Sequence, residues 1–165
     1  MNKRVMYQFK TKQIIPTDIK TCWDFFSSPA NLKAITPSYM GFDILVDISE
    51  KMYPGLMIEY RVKPLLGIPM NWITEITHVE NLKYFVDEQR KGPYRIWHHE
   101  HHFKEIPNGV EMSDIVSYEI PLGLLGRLAH HLVVQKKLKE IFDYRFTKVE
   151  EIFGKPIILE QSQNQ

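Results

Sequence analysis

WHHEHHFKEIPNGV, residues 97–110, holds four of the chain's seven histidines and ends in an Asn-Gly turn signal. Side chains alternate across a strand, so Trp97, His99, His101 and Phe103 share one face and His98, Glu100 and His102 the other. Two aromatics bracketing two histidines suit the wall of a mixed apolar and polar interior, and the charged set suits water. Asn-Gly is the strongest short hairpin signal a sequence offers, so the strand is expected to turn straight back into an antiparallel partner over 110–120. With Asn108-Gly109 as a two-residue loop, Phe103 opposes Asp114, His101 opposes Val116, His99 opposes Tyr118 and Trp97 opposes Ile120. Met112, Asp114, Val116, Tyr118 and Ile120 then lie inside, with Asp114 diagonal to His101 and within reach directly or through a water.

Outward from this hairpin the period stays at two. Segments around 42–48, 56–63, 70–79, 83–90, 94–106 and 110–120 read as strands, separated by Tyr53-Pro54-Gly55, Gly67-Ile68-Pro69, Lys91-Gly92-Pro93 and Pro107-Asn108-Gly109. Strands this closely spaced favour antiparallel pairing, because parallel neighbours need long crossovers. Upstream, Tyr7 to Ile15 alternates as one more strand. Thr17 or Asp18 can then cap a helix whose Ile19, Cys22, Trp23 and Phe26 share a face, and a short second helix over Ala30–Ile35 ends at Thr36-Pro37. Downstream, no proline interrupts the chain from Leu124 to Phe153. Leu128, Leu132, Leu138, Phe142, Val149 and Phe153 recur there at helical spacing, and Gly154 with Pro156 marks the stop. The expected fold is α+β: a curved antiparallel sheet of about seven strands around a long C-terminal helix, in the order β-α-α-β6-α.

Composition bounds the rest. A chain of 165 residues with 44% hydrophobic content suits one globular core, read as a single domain over 1–155 with a polar tail over 156–165. Twenty-one Lys+Arg against 20 Asp+Glu lack the basic footprint of a nucleic-acid binder. No run approaches the length of a spanning helix, and the N-terminus shows no apolar leader. With a lone cysteine, Cys22, a cytoplasmic protein without disulfides is expected, as monomer or homodimer. No Gly-rich phosphate loop, nucleophile elbow or cysteine-based zinc spacing is present.

Ile15-Pro16, Trp23-Asp24-Phe25-Phe26, Pro29-Ala30-Asn31-Leu32 and Ile35-Thr36-Pro37 resemble the opening signature of bacterial members of the START-like, or SRPBCC, superfamily. This superfamily includes birch-pollen-allergen-like proteins and polyketide cyclases. Phe85 to Gln89, Gly92-Pro93-Tyr94, Trp97 to Phe103 and Leu122 to Gly126 resemble a subgroup found alone or fused ahead of an epimerase-like domain and sometimes called cell-division inhibitor. The resemblance implies the helix-grip fold and a cavity between sheet and helix. It hosts binders and enzymes alike, so the chemistry must come from the site.

Phe85, Asp87 and Gln89 alternate together, and the resemblance favours this set as the inward one. Tyr60 and Trp72, with their strand neighbours, are expected to line the far wall, and Leu128, Leu132 and Gln135 to line the cavity from the helix. The candidate ligand-binding set is therefore Tyr60, Trp72, Phe85, Asp87, Gln89, Trp97, His99, His101, Phe103, Met112, Asp114, Val116, Tyr118, Leu128, Leu132 and Gln135. An apolar wall with a few convergent polar groups points to a small, largely apolar ligand such as a lipid or polyketide. The alternatives are an enzyme of the cyclase, hydrolase or isomerase type using His99 or His101 as acid or base with Asp114 or Asp87 as orienter, and an interaction module for an epimerase-like partner. His99-x-His101 lets two imidazoles converge, with Asp114 as candidate third ligand, but two ligands and an unfixed third assign no metal. No cofactor is expected.

Overall fold

A computed structural model describes residues 5–46, 51–63 and 67–156, with side chains throughout except that of Arg127. The first four residues of the expected domain, the end of the strand expected over 42–48, and the tail beyond 156 lie outside the described residues.

Strand β1, Tyr7–Ile15, alternates in burial and ends at Pro16, which lacks the amide hydrogen a ladder needs. The Asp18 carboxylate accepts a 2.9 Å hydrogen bond from the Thr21 amide and caps α1, Ile19–Phe26, an interaction worth about 1 kcal/mol. Cys22, Trp23 and Phe26 form its buried face. Helix α2, Pro29–Leu32, opens on a proline, whose missing donor is tolerated in a first turn. Two short 3₁₀ turns then lead to β2, Asp43–Ile44.

A meander follows: β3 Leu56–Val62, β4 Met70–Glu80, β5 Tyr84–Lys91, β6 Ile96–Ile106 and β7 Gly109–Glu119. The sheet runs β1-β7-β6-β5-β4-β3-β2, antiparallel throughout. The register of the central hairpin differs from the expected one by two residues. Its loop is Pro107-Asn108, so Ile106 pairs with Gly109, His101 with Asp114, His99 with Val116 and Trp97 with Tyr118. Gly109 belongs to the ladder, where β1 passes so close that a Cβ there would sit 2.1 Å from the Ile15 carbonyl oxygen. A shift of two preserves which side chains face inward and moves Asp114 from diagonal to directly opposite His101.

The C-terminal helix runs without a break from Gly123 to Phe153, as α3 Gly123–Ala129, one π turn over His130–Val134, and α4 Gln135–Phe153. Gly154, at φ 90°, ends it. The buried line along the helix is Gly126, His130, Val134, Leu138 and Phe142, one residue in every four. In a pure α-helix a four-residue step drifts by about 40°, and the wider π turn takes up that drift. The stripe expected through Leu128 and Leu132 therefore faces solvent, at 58% and 65% exposure. Gln135 is also exposed.

The buried apolar residues fall into four clusters rather than one. The largest ties α1 to the sheet through Trp23, whose ring stands edge-on to Phe85 and Phe103 at 6.0 and 5.4 Å. The clusters surround a cavity.

Candidate functional site

The cavity, about 170 Å³, lies between the concave face of the sheet and α4. Ile58, Tyr60 and Val62 of β3 and Trp72, Thr74 and Ile76 of β4 form one wall, with Leu32, Ile35, Met40 and Phe42 from the connection before the sheet. Phe85 and Asp87 of β5 and Trp97, His99 and His101 of β6 form a second. Helix α4 contributes Leu138, Ile141, Phe142 and Arg145.

Polar groups gather where β5, β6 and β7 run side by side. Asp87 pairs with His99 across one ladder and Asp114 with His101 across the next, so two carboxylates and two imidazoles interlock. His99 Nε2 lies 2.8 Å from Asp114 Oδ1, and His101 Nε2 lies 2.8 Å from Asp87 Oδ2. The cross contacts are His99 Nδ1 to Asp87 Oδ2 at 3.4 Å and His101 Nδ1 to Asp114 Oδ1 at 3.0 Å, the latter outside hydrogen-bonding alignment. The two imidazoles are 3.8 Å apart, and Phe85 stacks on His101 at 4.1 Å. From α4, Arg145 Nη1 approaches Asp114 Oδ1 to 4.0 Å, with the guanidinium over the Phe142 ring.

Burial alone would neutralise all four groups, and the partners decide otherwise. For both aspartates burial works against ionisation, but the imidazoles beside them outweigh it and hold both carboxyls below their ordinary range. Burial and the neighbouring His101 push His99 down. Burial also opposes charge on His101, but Asp114 and Asp87 prevail and raise it. His101 therefore holds a proton more readily than an ordinary imidazole, whereas His99, pushed below the ordinary value, is neutral at neutral pH and donates from Nε2 to Asp114.

Of the candidate residues, Tyr60, Trp72, Phe85, Asp87, Trp97, His99 and His101 line the cavity. Asp114 lies one layer behind, hydrogen-bonded to His99. Gln89 instead bonds both backbone groups of Tyr94 and pins the β5–β6 connection. Phe103 and Met112 pack in the cluster around Trp23, and Val116 and Tyr118 pack beneath the π turn. Leu128, Leu132 and Gln135 face outward, a correction that follows from the π turn. His130 is buried, stacked on Tyr7 at 3.5 Å and 2.9 Å from the Tyr118 hydroxyl. Lys137 reaches the cavity rim. Arg145 is legible as a cation three residues after Phe142, in line with the buried stripe. His98 and His102 point outward as expected, to Glu88 and Glu100. Cys22 is buried, which pushes its thiol up to about 12, so it is a core residue and unreactive. Among the groups around the cavity, Asp87, His99 and His101 each offer a donor atom within 4.8 Å of the others.

No protein-family model and no curated protein matches this chain. Solved structures do match. An uncharacterised protein from Rhizobium leguminosarum is 11% identical over 90% of this chain and 97% of its own, with a TM-score of 0.66. A protein of unknown function from Staphylococcus aureus is 11% identical over 91% and 97%, with a TM-score of 0.65. The crystal structure of Ara h 8.0201 is 12% identical over 89% and 99%, with a TM-score of 0.56. The chain has the helix-grip fold. At these identities the likeness shows the fold alone. Among the described residues no helix is long and apolar enough to cross a membrane.

Proposed function

We propose that this helix-grip chain binds a small, largely apolar molecule carrying a polar group, with the apolar part between β3, β4 and α4 and the polar part toward Asp87, His99 and His101. The observation that carries this reading is the cavity itself. Protein interiors pack to crystal-like density, yet here the core is divided around about 170 Å³. Left unfilled, a void of that size costs on the order of 4 kcal/mol at about 24 cal/mol per Å³. Trp72 supports the same reading: its indole Nε1–H is buried in the cavity wall with no hydrogen-bond partner among the described residues. A buried unmet donor costs about 1–3 kcal/mol, and a ligand acceptor would satisfy it. The chain is read as one ligand-binding domain, beside the stand-alone members of the subgroup that otherwise precedes epimerase-like domains.

Native mass spectrometry of the purified protein tests this. A co-purifying apolar molecule is expected, or saturable uptake from a lipid and polyketide library. A protein that is empty and ignores the library sinks the reading.

A second reading is favoured by the neutral His99, whose Nε2–H is held by the buried Asp114 while its ring faces the cavity. That is the arrangement of an oriented general base. If a reaction runs here, His99→Gln removes turnover while ligand binding survives. Loss of binding and melting temperature without any turnover to lose leaves the histidines as recognition groups only.

A further inference from the structure

We propose that Asp87, His99 and His101 bind a divalent first-row transition metal of the zinc class on the sheet wall of the cavity, with Asp114 orienting His99 from behind. The inference does not depend on the organic ligand, and its test uses the metal alone.

Three observations converge on it. The first is spacing. With metal bonds near 2.0–2.2 Å, neighbouring ligand atoms in a tetrahedral site lie about 3.3 Å apart. Asp87 Oδ2 lies 3.4 Å from His99 Nδ1, the length of one such edge, and 2.8 Å from His101 Nε2, a hydrogen-bond contact that would lengthen by about half an ångström around a metal. One ligand atom from each of the three residues falls within 4.8 Å of the others.

The second observation is the role of Asp114. Metal-bound histidines almost always present their other ring nitrogen to a carboxylate or carbonyl, which fixes ring and tautomer. Here Asp114 Oδ1 accepts a 2.8 Å hydrogen bond from His99 Nε2 and lies 3.0 Å from His101 Nδ1, out of hydrogen-bonding alignment with it. These are the nitrogens turned away from Asp87. Asp114 is itself approached by Arg145 at 4.0 Å. Asp114 lies behind both rings, hydrogen-bonded to His99, and leaves their front nitrogens, His99 Nδ1 and His101 Nε2, facing a second carboxylate, Asp87.

The third is access. Asp87, His99 and His101 all line the cavity, and Asp114 does not. Three protein ligands with free positions toward a cavity are the pattern of an open site, whereas structural zinc is closed by four. Two imidazoles and one carboxylate suit zinc, iron(II) or cobalt(II) over calcium or magnesium, which take oxygen ligands. The outer-face histidines supply an internal control, because His98 and His102 sit on the same strand among Glu88 and Glu100 but point away from the cavity.

The test is titration of the chelator-stripped protein with cobalt(II), followed by displacement with zinc. One equivalent is expected, with visible ligand-field bands that zinc abolishes, and zinc should move the imidazole resonances of His99 and His101 while leaving those of His98 and His102 in place. That measurement needs no variant, so a misfolded mutant cannot obscure it. Among variants, Asp87→Asn should weaken binding at least tenfold. Asp114→Asn, which keeps all three ligands, should weaken it about 10–100-fold with far-ultraviolet dichroism unchanged. A His98→Ala/His102→Ala double variant should bind as the parent does. Absence of saturable uptake, or uptake that tracks the outer-face pair, overturns the proposal.

Discussion

His99 and His101 stand two residues apart on one strand face, both buried, yet their proton affinities are pushed in opposite directions. His99 shares Asp114 and suffers the positive field of His101, whereas His101 sits against both carboxylates. In imidazole nitrogen spectra followed across pH, His101 should keep its proton to higher pH than His99, whose neutral ring should be protonated at Nε2. The pH dependence of stability follows with signs that differ by group. His101, raised above about 6.5, contributes fully below that pH and loses its contribution as pH rises through the raised value. His99 is depressed, so the unfolded chain takes up its proton first and stability falls as pH drops below about 6.5. Asp87 and Asp114 stabilise above about 3.9 and lose that contribution as pH falls through their lowered values. Thermal melting from pH 3 to pH 9 should therefore show a maximum near neutrality, with an acid limb that Asp114→Asn makes shallower; an unchanged limb would place acid sensitivity elsewhere. Asp114→Ala leaves two imidazoles and Arg145 facing no carboxylate at that position, and should cost about 3–5 kcal/mol in denaturant unfolding.

The element that departs most from its sequence pattern is the C-terminal helix. Leucines at 128 and 132 look like the continuation of Leu138 and Phe142, but the π turn makes the buried line Gly126, His130, Val134 and Leu138. That line is hard to read because two of its members are a glycine and a histidine. Gly126 is required by contact: a Cβ there would lie 2.0 Å from the Pro121 carbonyl oxygen. Gly126→Ala should destabilise by about 1–3 kcal/mol, the cost of an overpacked site. Two leucine substitutions separate the competing faces. Leu132→Lys should change unfolding free energy by no more than about 0.5 kcal/mol, while Leu138→Ala should cost about 2–5 kcal/mol. Equal effects would mean that the helix sits in the register its leucines suggest.

At the scale of the whole molecule, the cavity exists because a curved sheet and a straight helix cannot touch along their full lengths. Side chains from β3, β4 and α4 fill only part of the gap. Filling it further should stabilise the protein and abolish binding together, the usual conflict between stability and a functional space. Ile58→Phe is the direct case. A rise in melting temperature with loss of ligand uptake is expected, and a rise with uptake intact would put the ligand elsewhere.

The alternating histidine strand, the closely spaced turns and the proline-free C-terminal stretch determined the sheet, its antiparallel sense, the helix and the inward face of β6, because periods of two and 3.6 are local properties of the chain. They also brought His99, His101, Asp87 and Asp114 to one region, since a register error of two leaves every face unchanged. Only the tertiary structure decided the partners. Gly109 was needed for the approach of β1 and so moved the turn, which set Asp114 opposite His101. The π turn rotated the leucines outward and brought His130 in. Contacts of this kind join residues far apart in sequence, and their distances depend on how whole elements pack, which no local pattern encodes.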